Sequence, residues 1–356
     1  MKKPMTNAGK NRLRLGAGVF GLLAFAAPVH ASDACSPRAI ETAASVSVSD
    51  GGAFETRSYF QSHENAAFVQ IIDGAPRLTA IEGPVSWVRA GERFAAGTDF
   101  EKMFALGHQF HAMLLHFDEV MATESDREIE FDNATRRARV GDYPYGGVAY
   151  LVQSEAAGEP RGMRFEFPDV PAIDVHFSDW RNVDGRLLPF EMRVDDGSRL
   201  FDYSYTEISI ENRSPLWYAD ALGDVSFDEA NIYRLHRKLL AAHCLGDADM
   251  IAALTAPDTI VADGGAVFEP TREDTRAQFL SLFEQLDYRR YVDLTTPEIE
   301  VAESGDIGWI TVQVRPAGVT KNDAEPFDDQ WAWVMMVRKI DGAWLNAGNA
   351  SNRLSG

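Results

Sequence analysis

Cysteine is nearly absent: the 356 residues hold two, too few for a disulfide framework or a cysteine-rich zinc module. Positive charge is also short, with 34 Lys and Arg against 54 Asp and Glu and a formal charge of −20. A surface that acidic repels phosphate backbones and anionic lipid, so no nucleic-acid partner is expected. Glycine and proline, 28 and 16, are too scattered for a fibrous chain. Four signatures are missing: a Gly-rich phosphate loop, a Gly-x-Ser-x-Gly elbow, a His-Glu-x-x-His pair and EF-hand spacing. No cofactor and no metal are therefore expected. What is present is an ordinary folding composition, 45% hydrophobic and 11% aromatic. At roughly 150 residues per domain, the length corresponds to about two domains.

The first 31 residues read as an address rather than as fold. Lys2, Lys3, Lys10, Arg12 and Arg14 precede a short apolar run from Leu15 to Val29, and Val29-His30-Ala31 suits a signal peptidase. The run is too short to span a bilayer of about 30 Å, so no stable membrane insertion is expected. Cleavage after Ala31 would remove five basic and no acidic residues, taking the charge from −20 to −25. The product would be periplasmic or secreted. Cys35 follows Ser32-Asp33-Ala34, and the acidic residue departs from a lipidation signal. In an oxidising compartment Cys35 and Cys244 are either bridged or both unpaired. A bridge would close a very long loop, worth roughly 5 kcal/mol on the chain-entropy account.

From Ser36 to Trp217 the apolar residues mostly alternate, which predicts antiparallel strands. Phe54–Phe60, Ala67–Ile72, Arg127–Phe131, Gly147–Val152, Met163–Phe167 and Ile173–Phe177 are the short ones. Asp184-Gly185 and Asp195-Asp196-Gly197 punctuate the clearest hairpins. One segment differs. Thr98-Asp99-Phe100-Glu101 is a capping box, predicting a helix to about Met121 with Phe100, Phe104, Gly107, His111 and Leu114 on one face. His108, His111 and His116 on that helix cannot converge on one ion, because His116 would point nearly opposite to His111. His111 is expected to be a hydrogen-bonded core histidine.

The run Asp179-Trp180-Arg181-Asn182-Val183-Asp184-Gly185-Arg186-Leu187-Leu188-Pro189-Phe190, with Leu200-Phe201-Asp202-Tyr203-Ser204-Tyr205 after it, resembles the late strands of LolA-like periplasmic proteins. The resemblance implies an antiparallel β half-barrel with a covering helix, over residues 36–217, that encloses acyl chains or other apolar ligands.

Beyond Ser214-Pro215 and the Gly223-Asp224 turn, Ser226-Phe227-Asp228-Glu229 reads as a second capping box. It would open a helix ending at Gly246, and Asp247 would cap a short helix after it. Thr271-Arg272-Glu273-Asp274 starts a third helix. The remainder reads as strands at Glu298–Ala302, Ile307–Val314, Gln330–Arg338 and Ala343–Ala347. The residues Leu235-His236, Ala242-His243, Gly246-Asp247-Ala248-Asp249, Gly264 to Glu273, Gly308-Trp309 and Asp341-Gly342-Ala343-Trp344 resemble the SnoaL-like branch of the nuclear-transport-factor-2-like superfamily. That resemblance covers 224–356 and implies a cone-shaped α+β barrel with a pocket between its first helix and the concave sheet. The fold class as a whole is α+β.

On the helix from Ser226, Ile232, Leu235, Leu239 and Ala242 share a face with His236 and His243. Seven residues separate the two histidines, about 10 Å of helix rise, so they cannot hold one ion between them. Either could act as a base or bind a ligand. Asp263, Tyr288 and Asp293 are the available polar partners. Trp309 and Trp333 are the strand aromatics that could stack on an apolar ligand. The expected site is therefore His236, His243, Asp263, Tyr288, Trp309 and Trp333. The leading expectation is an exported accessory protein binding an apolar or amphipathic small molecule. One alternative is a pocket enzyme, an isomerase, cyclase or hydrolase, with His243 as base. Another is an envelope protein whose C-terminal domain only forms a homodimer.

Overall fold

The computed structural model describes residues 35–154, 158–168 and 170–354; the segment read as a signal peptide, 1–31, lies outside them. The first sheet takes thirteen strands in two meanders. The first meander is β1 (Arg38–Val48), β2 (Ala53–Ser62), β3 (Asn65–Ile72), β4 (Ala75–Glu82), β5 (Val85–Ala90) and β6 (Arg93–Ala96). Three short helices follow, α1 (Asp99–Gly107), α2 (Phe110–Leu115) and α3 (Phe117–Val120). The second meander is β7 (Ala122–Phe131), β8 (Ala134–Asp142), β9 (Val148–Val152), β10 (Gly162–Glu166), β11 (Ile173–Val183), β12 (Arg186–Asp195) and β13 (Leu200–Asn212). The order β6-β5-β4-β3-β2-β1-β13-β12-β11-β10-β9-β8-β7 explains the helices. They carry the chain across the sheet from one edge, β6, to the other, β7. The second meander then works back to the middle and closes on β1, from Arg38↔Asn212 to Val48↔Phe201 with one bulge at Ala43/Ala44.

The helices bury Leu106, Phe110, Met113 and Phe117 against Ile40, Ala44 and Val46 of β1 and Tyr203 and Tyr205 of β13. The single long helix expected from the capping box is not there. Glu101 does accept from the Thr98 backbone N–H, at 2.9 Å, but the helix stops at Gly107. His108 Nδ1 donates to Phe104 O at 2.8 Å, and Gln109 Nε2 donates to Ala105 O at 3.0 Å. Side chains thus occupy carbonyls that the next backbone N–H groups would need. Phe100, expected on the buried face, is exposed, while Leu106 and Met113 are fully buried. His111 is buried and donates from Nε2 to Pro189 O at 2.8 Å.

The opposite face of β3 to β5 is covered by α4 (Trp217–Leu222) and the start of α5 (Asp228–Leu245), through Tyr218, Leu222 and Ala230 packed on Ala67, Leu78, Ala80 and Trp87. The α5 start departs from expectation. Its N-cap is Phe227, without a side-chain cap. Asp228 instead accepts from Lys339 Nζ at 2.6 Å and Trp344 Nε1 at 2.9 Å, tying the helix to the second sheet. Its end is as read, on Gly246 in the left-handed region at φ 64°.

The rest of the chain is α6 (Ala248–Ala253), β14 (Thr255–Asp263), β15 (Ala266–Phe268), α7 (Arg272–Gln285), β16 (Leu286–Asp293), β17 (Glu298–Val301), β18 (Ile307–Thr320), β19 (Pro326–Asp328), β20 (Trp331–Ile340) and β21 (Ala343–Arg353). The second sheet runs β15-β14-β21-β20-β18-β16, with β17 and β19 paired to β18 and with β14 parallel to β21. Ile232, Leu235, Leu239 and Ala242 of α5 pack on Ile310, Met335, Val337 and Trp344 of its inner face.

The following contacts tie the first sheet and the residue leading into it to α5 and the second sheet. Tyr233 Oη lies 3.3 Å from Asn65 Nδ2, and Arg234 Nε lies 2.8 Å from Glu82 Oε1. Thr296 Oγ1 donates to Glu64 Oε1 at 2.7 Å. Cys35 is bonded to Cys244, across 209 residues of sequence, and its N–H donates to Arg289 O at 3.0 Å.

Candidate ligand-binding site

Helix α5 presents two histidines to the inner face of the second sheet, and their surroundings differ. His236 is fully buried, and its Nε2 lies 2.7 Å from Asp293 Oδ1 at the end of β16. A carboxylate acceptor puts the ring proton on Nε2 and leaves the Nδ1 lone pair open. His236 Nδ1, Asp293 Oδ2 and Trp333 Nε1 are buried without a hydrogen-bond partner among the described residues. Arg237 Nη1 stands 3.7 Å behind Asp293 Oδ2. The Trp333 ring meets His236 edge-on, 5.6 Å between centroids. Asn349, whose Oδ1 is also unpartnered, faces Met335 in the β20–β21 register, on the same side of the sheet as Trp333.

His243 sits one stretch of aromatics further along. Tyr291 lies 4.4 Å from it, Phe279 5.3 Å, Tyr288 5.6 Å and Phe283 5.9 Å between ring centroids. Its Nδ1 donates to Leu239 O at 2.7 Å, and no carboxylate among the described residues is recorded as its partner. Burial pushes its pKa from 6.5 down to about 4, with the Leu239 carbonyl pulling weakly the other way. The helix end that carries His243 is closed by α7 and β16. Burial favours the neutral form of this ring, and of the two α5 histidines His236 is the one with an acidic partner.

The structure therefore brings His236, His243, Tyr288 and Trp333 to one face and separates the other two expected residues from them. Trp309 is on the outer face, 38% exposed, because its neighbour Ile310 takes the inward position on β18. Met336 and Glu300 flank it in register. Asp263 ends β14 in an exposed turn whose next residues, Gly264 and Gly265, both have positive φ. Asp293 and Tyr291 complete the site from β16, a strand with a bulge between Tyr288 and Arg290. That bulge breaks the alternation by which a strand is recognised, and it turns Tyr288 and Tyr291, three apart, toward the same histidine.

A second feature adjoins this one. Tyr233 and Arg237, which contact His236 and Asp293, also line a cleft between the two sheets together with Gln61, Asn65, Arg234 and Lys238. Its lining comes from β2, β3, β4, α5 and the α4 segment, and no sequence pattern connects them. Among the described residues no group of His, Cys, Asp and Glu is placed to hold a metal ion, and no helix is long and apolar enough to cross a membrane.

The architecture is α+β: a wide antiparallel sheet crossed by helices, and a second sheet carrying three helices on one face. No family model and no curated protein matches the chain. Solved structures of nuclear-transport-factor-2-like type are similar to about 36% of it. A ketosteroid isomerase-like protein from Erwinia carotovora atroseptica is 18% identical over 37% of this chain and 100% of its own, with a TM-score of 0.32. A nuclear-transport-factor-2-like protein from Cytophaga hutchinsonii is 18% identical over 36% of this chain and 100% of its own, TM-score 0.31. A superfamily protein from Salmonella enterica serovar Typhimurium is 12% identical over 36% and 92%, TM-score 0.33. Likeness at that level assigns no activity, and the side chains on the inner face have to carry the functional reading.

Proposed function

We propose that the chain is an exported accessory protein that binds an apolar or amphipathic small molecule against the inner face of its second sheet. The observation that carries this reading is the set of unpartnered polar atoms, His236 Nδ1, Asp293 Oδ2 and Trp333 Nε1, set in an aromatic wall. Each dry polar group costs about 1–3 kcal/mol. A ligand that donates to His236 Nδ1 and accepts from Trp333 Nε1 would recover that loss at two of the three, Asp293 Oδ2 having Arg237 Nη1 at 3.7 Å, while its body stacks on Trp333 and Tyr291. Cone-shaped curvature of the second sheet and a half-barrel form of the first, with the LolA-like resemblance it rests on, belong to the same reading. Export rests on the pattern of residues 1–31. Mass spectrometry of the protein from its native source, under native and then denaturing conditions, tests the proposal. Extra mass lost on denaturation, and reduced by Trp333→Ala, supports it. An unliganded protein that also fails to bind apolar dyes saturably overturns it.

A second reading is favoured by the His236–Asp293 distance of 2.7 Å. An imidazole held by a carboxylate through Nε2, with Nδ1 open, is arranged as a general base. It would remove a proton from a bound carbon or oxygen acid and return it elsewhere, as an isomerase or cyclase requires. Exchange of a ligand proton for deuterium in heavy water, lost in both His236→Gln and Asp293→Asn, is the expected result. Exchange that survives in both variants refutes it.

A further inference from the structure

Strand β16 brings three side chains to α5, and one extra residue in it decides which three. Tyr288 pairs with Gly318 of β18 and Arg290 with Ala317, so Arg289 has no residue opposite it. Side chains alternate along a regular strand. Without the insertion Tyr288 would face away from Tyr291 and Asp293, three and five residues further on. With it, Tyr288 and Tyr291 lie 5.6 and 4.4 Å from the His243 ring, and Asp293 Oδ1 lies 2.7 Å from His236 Nε2. Strand β16 is also the edge of its sheet, with β18 on one side and no described strand on the other. A bulge on an edge strand interrupts the hydrogen-bond ladder where it has least support.

Cys35 holds that edge from outside. Its N–H donates to the carbonyl of Arg289, the extra residue itself, at 3.0 Å. Its sulfur is bonded to Cys244, the residue after His243 in the last turn of α5. The bulge is thereby tied to the helix turn on which Tyr288 and Tyr291 pack. We infer that the Cys35–Cys244 bridge is a redox-set clamp that positions Asp293 and both tyrosines against α5. The inference rests on reading His236 and Asp293 as the site. Closing the clamp passes two electrons and two protons from the two thiols to a disulfide oxidant, which becomes a dithiol; an excess of dithiol reverses the exchange. Both cysteines are half-buried and Leu245 and Gly246 are exposed, so a small dithiol reaches the bond. With the bond open, one hydrogen bond is left between Cys35 and the bulge. A slip of β16 by one residue then turns Asp293 away from His236.

Nuclear magnetic resonance of the full chain tests the clamp in three forms: bridged, reduced with dithiothreitol, and as the Cys35→Ser, Cys244→Ser double variant. Below the melting transition such spectra report the geometry of the folded state, so a lower Tm alone does not move them. In the bridged protein the His236 Nε2–H proton is expected far downfield, as for an imidazole donating to a carboxylate, and it should vanish in His236→Gln. Both opened forms should lose it, and the amide resonances of Tyr288 to Asp293 should shift while those of β20 stay in place. If the double variant fails to fold, the reduced protein gives the same comparison, because its bond is broken after folding. Unshifted β16 amides, a downfield proton that survives opening, or shifts spread evenly over the second sheet each overturn the inference. A bridged protein without the downfield proton would instead refute the base reading of His236, and the β16 amides would then decide the clamp alone.

Discussion

Replacing Arg234 with Met would strip the partner from a carboxylate that is 1% exposed. Glu82 accepts from Arg234 Nε at 2.8 and 3.1 Å and from Trp87 Nε1 at 3.0 Å. Arg234 also donates from Nη1 to Gly223 O. Removing one member of a buried pair costs about 3–5 kcal/mol, because the other charge stays behind. With an unfolding entropy of about 2.1 cal/mol/K per residue over roughly 320 residues, 4 kcal/mol lowers Tm by about 6 °C. The loss should depend on pH with a definite sign. Burial, the larger effect, pushes Glu82 above its ordinary 4.5, and Arg234 pulls it back. Without Arg234 the folded-state value rises further above the unfolded one, so the folded form holds a proton the unfolded chain releases. The variant then keeps its stability below pH 4.5 and loses it progressively as pH rises through the folded value. Calorimetric scans of both proteins at pH 5 and pH 8 should show the larger gap at pH 8. Removing both charges, as Glu82→Met with Arg234→Met, should recover most of it, though Trp87 Nε1 and Gly223 O keep their losses. An equal gap at both pH values, or a double variant no better than Arg234→Met, would refute the argument.

Three further outcomes follow from the same contacts. Cys35→Ser with Cys244→Ser, or a reductant, should cost about 5 kcal/mol on the chain-entropy account and about 7 °C in Tm for a loop spanning 209 residues; an unchanged Tm would mean that the segment at Cys35 is held against α5 without it. Burial lowers His108, His111 and His243 from 6.5 to about 4, so between those values the unfolded chain binds the extra protons and stability falls as pH drops. Replacing one of them, as in His111→Gln, should flatten that slope by about 1.4 kcal/mol per pH unit near pH 5, read from urea titrations; an unaltered slope would contradict the burial. Gly83 has φ +58° and a Cβ there would lie 2.3 Å from the Tyr233 ring, so Gly83→Ala should destabilise by about 1–3 kcal/mol, and Tyr233→Ala should relieve most of that clash in the double variant.

Much of the strand and turn pattern was legible because it is local. Asp184-Gly185 and Asp341-Gly342 turn with positive φ at both residues, as their identities require. Asp247 and Thr271 cap the helices they precede. Strand β4 was not legible: Leu78 to Glu82 are all buried, since α1 covers one face and α4 the other, and a strand buried on both faces has no alternation to read. The broken helix was hidden for another reason. His108 and Gln109 compete for carbonyls only once their side chains are folded back, and Gln109 is held there partly by Ala67 O at 2.9 Å, 42 residues away.

The candidate site divides in the same way. Helical periodicity alone placed His236 and His243 on the buried face of α5, because a 3.6-residue repeat fixes which residues share a side. Periodicity cannot say what lies opposite. Asp293 reaches His236 across 57 residues, while the helix end bearing His243 is sealed by Phe279, Phe283 and two tyrosines. Trp309 and Trp333 look alike in sequence, and only the register of β18 against β20 turns one outward and the other toward the helix. The amino-acid order by itself determined the acidic surface, the local turns and caps, and the apolar face of α5. Which histidine meets an acid, and which residues line the cleft between the sheets, were decided by the docking of two sheets, since those contacts join residues too far apart in the chain for any local pattern to record them.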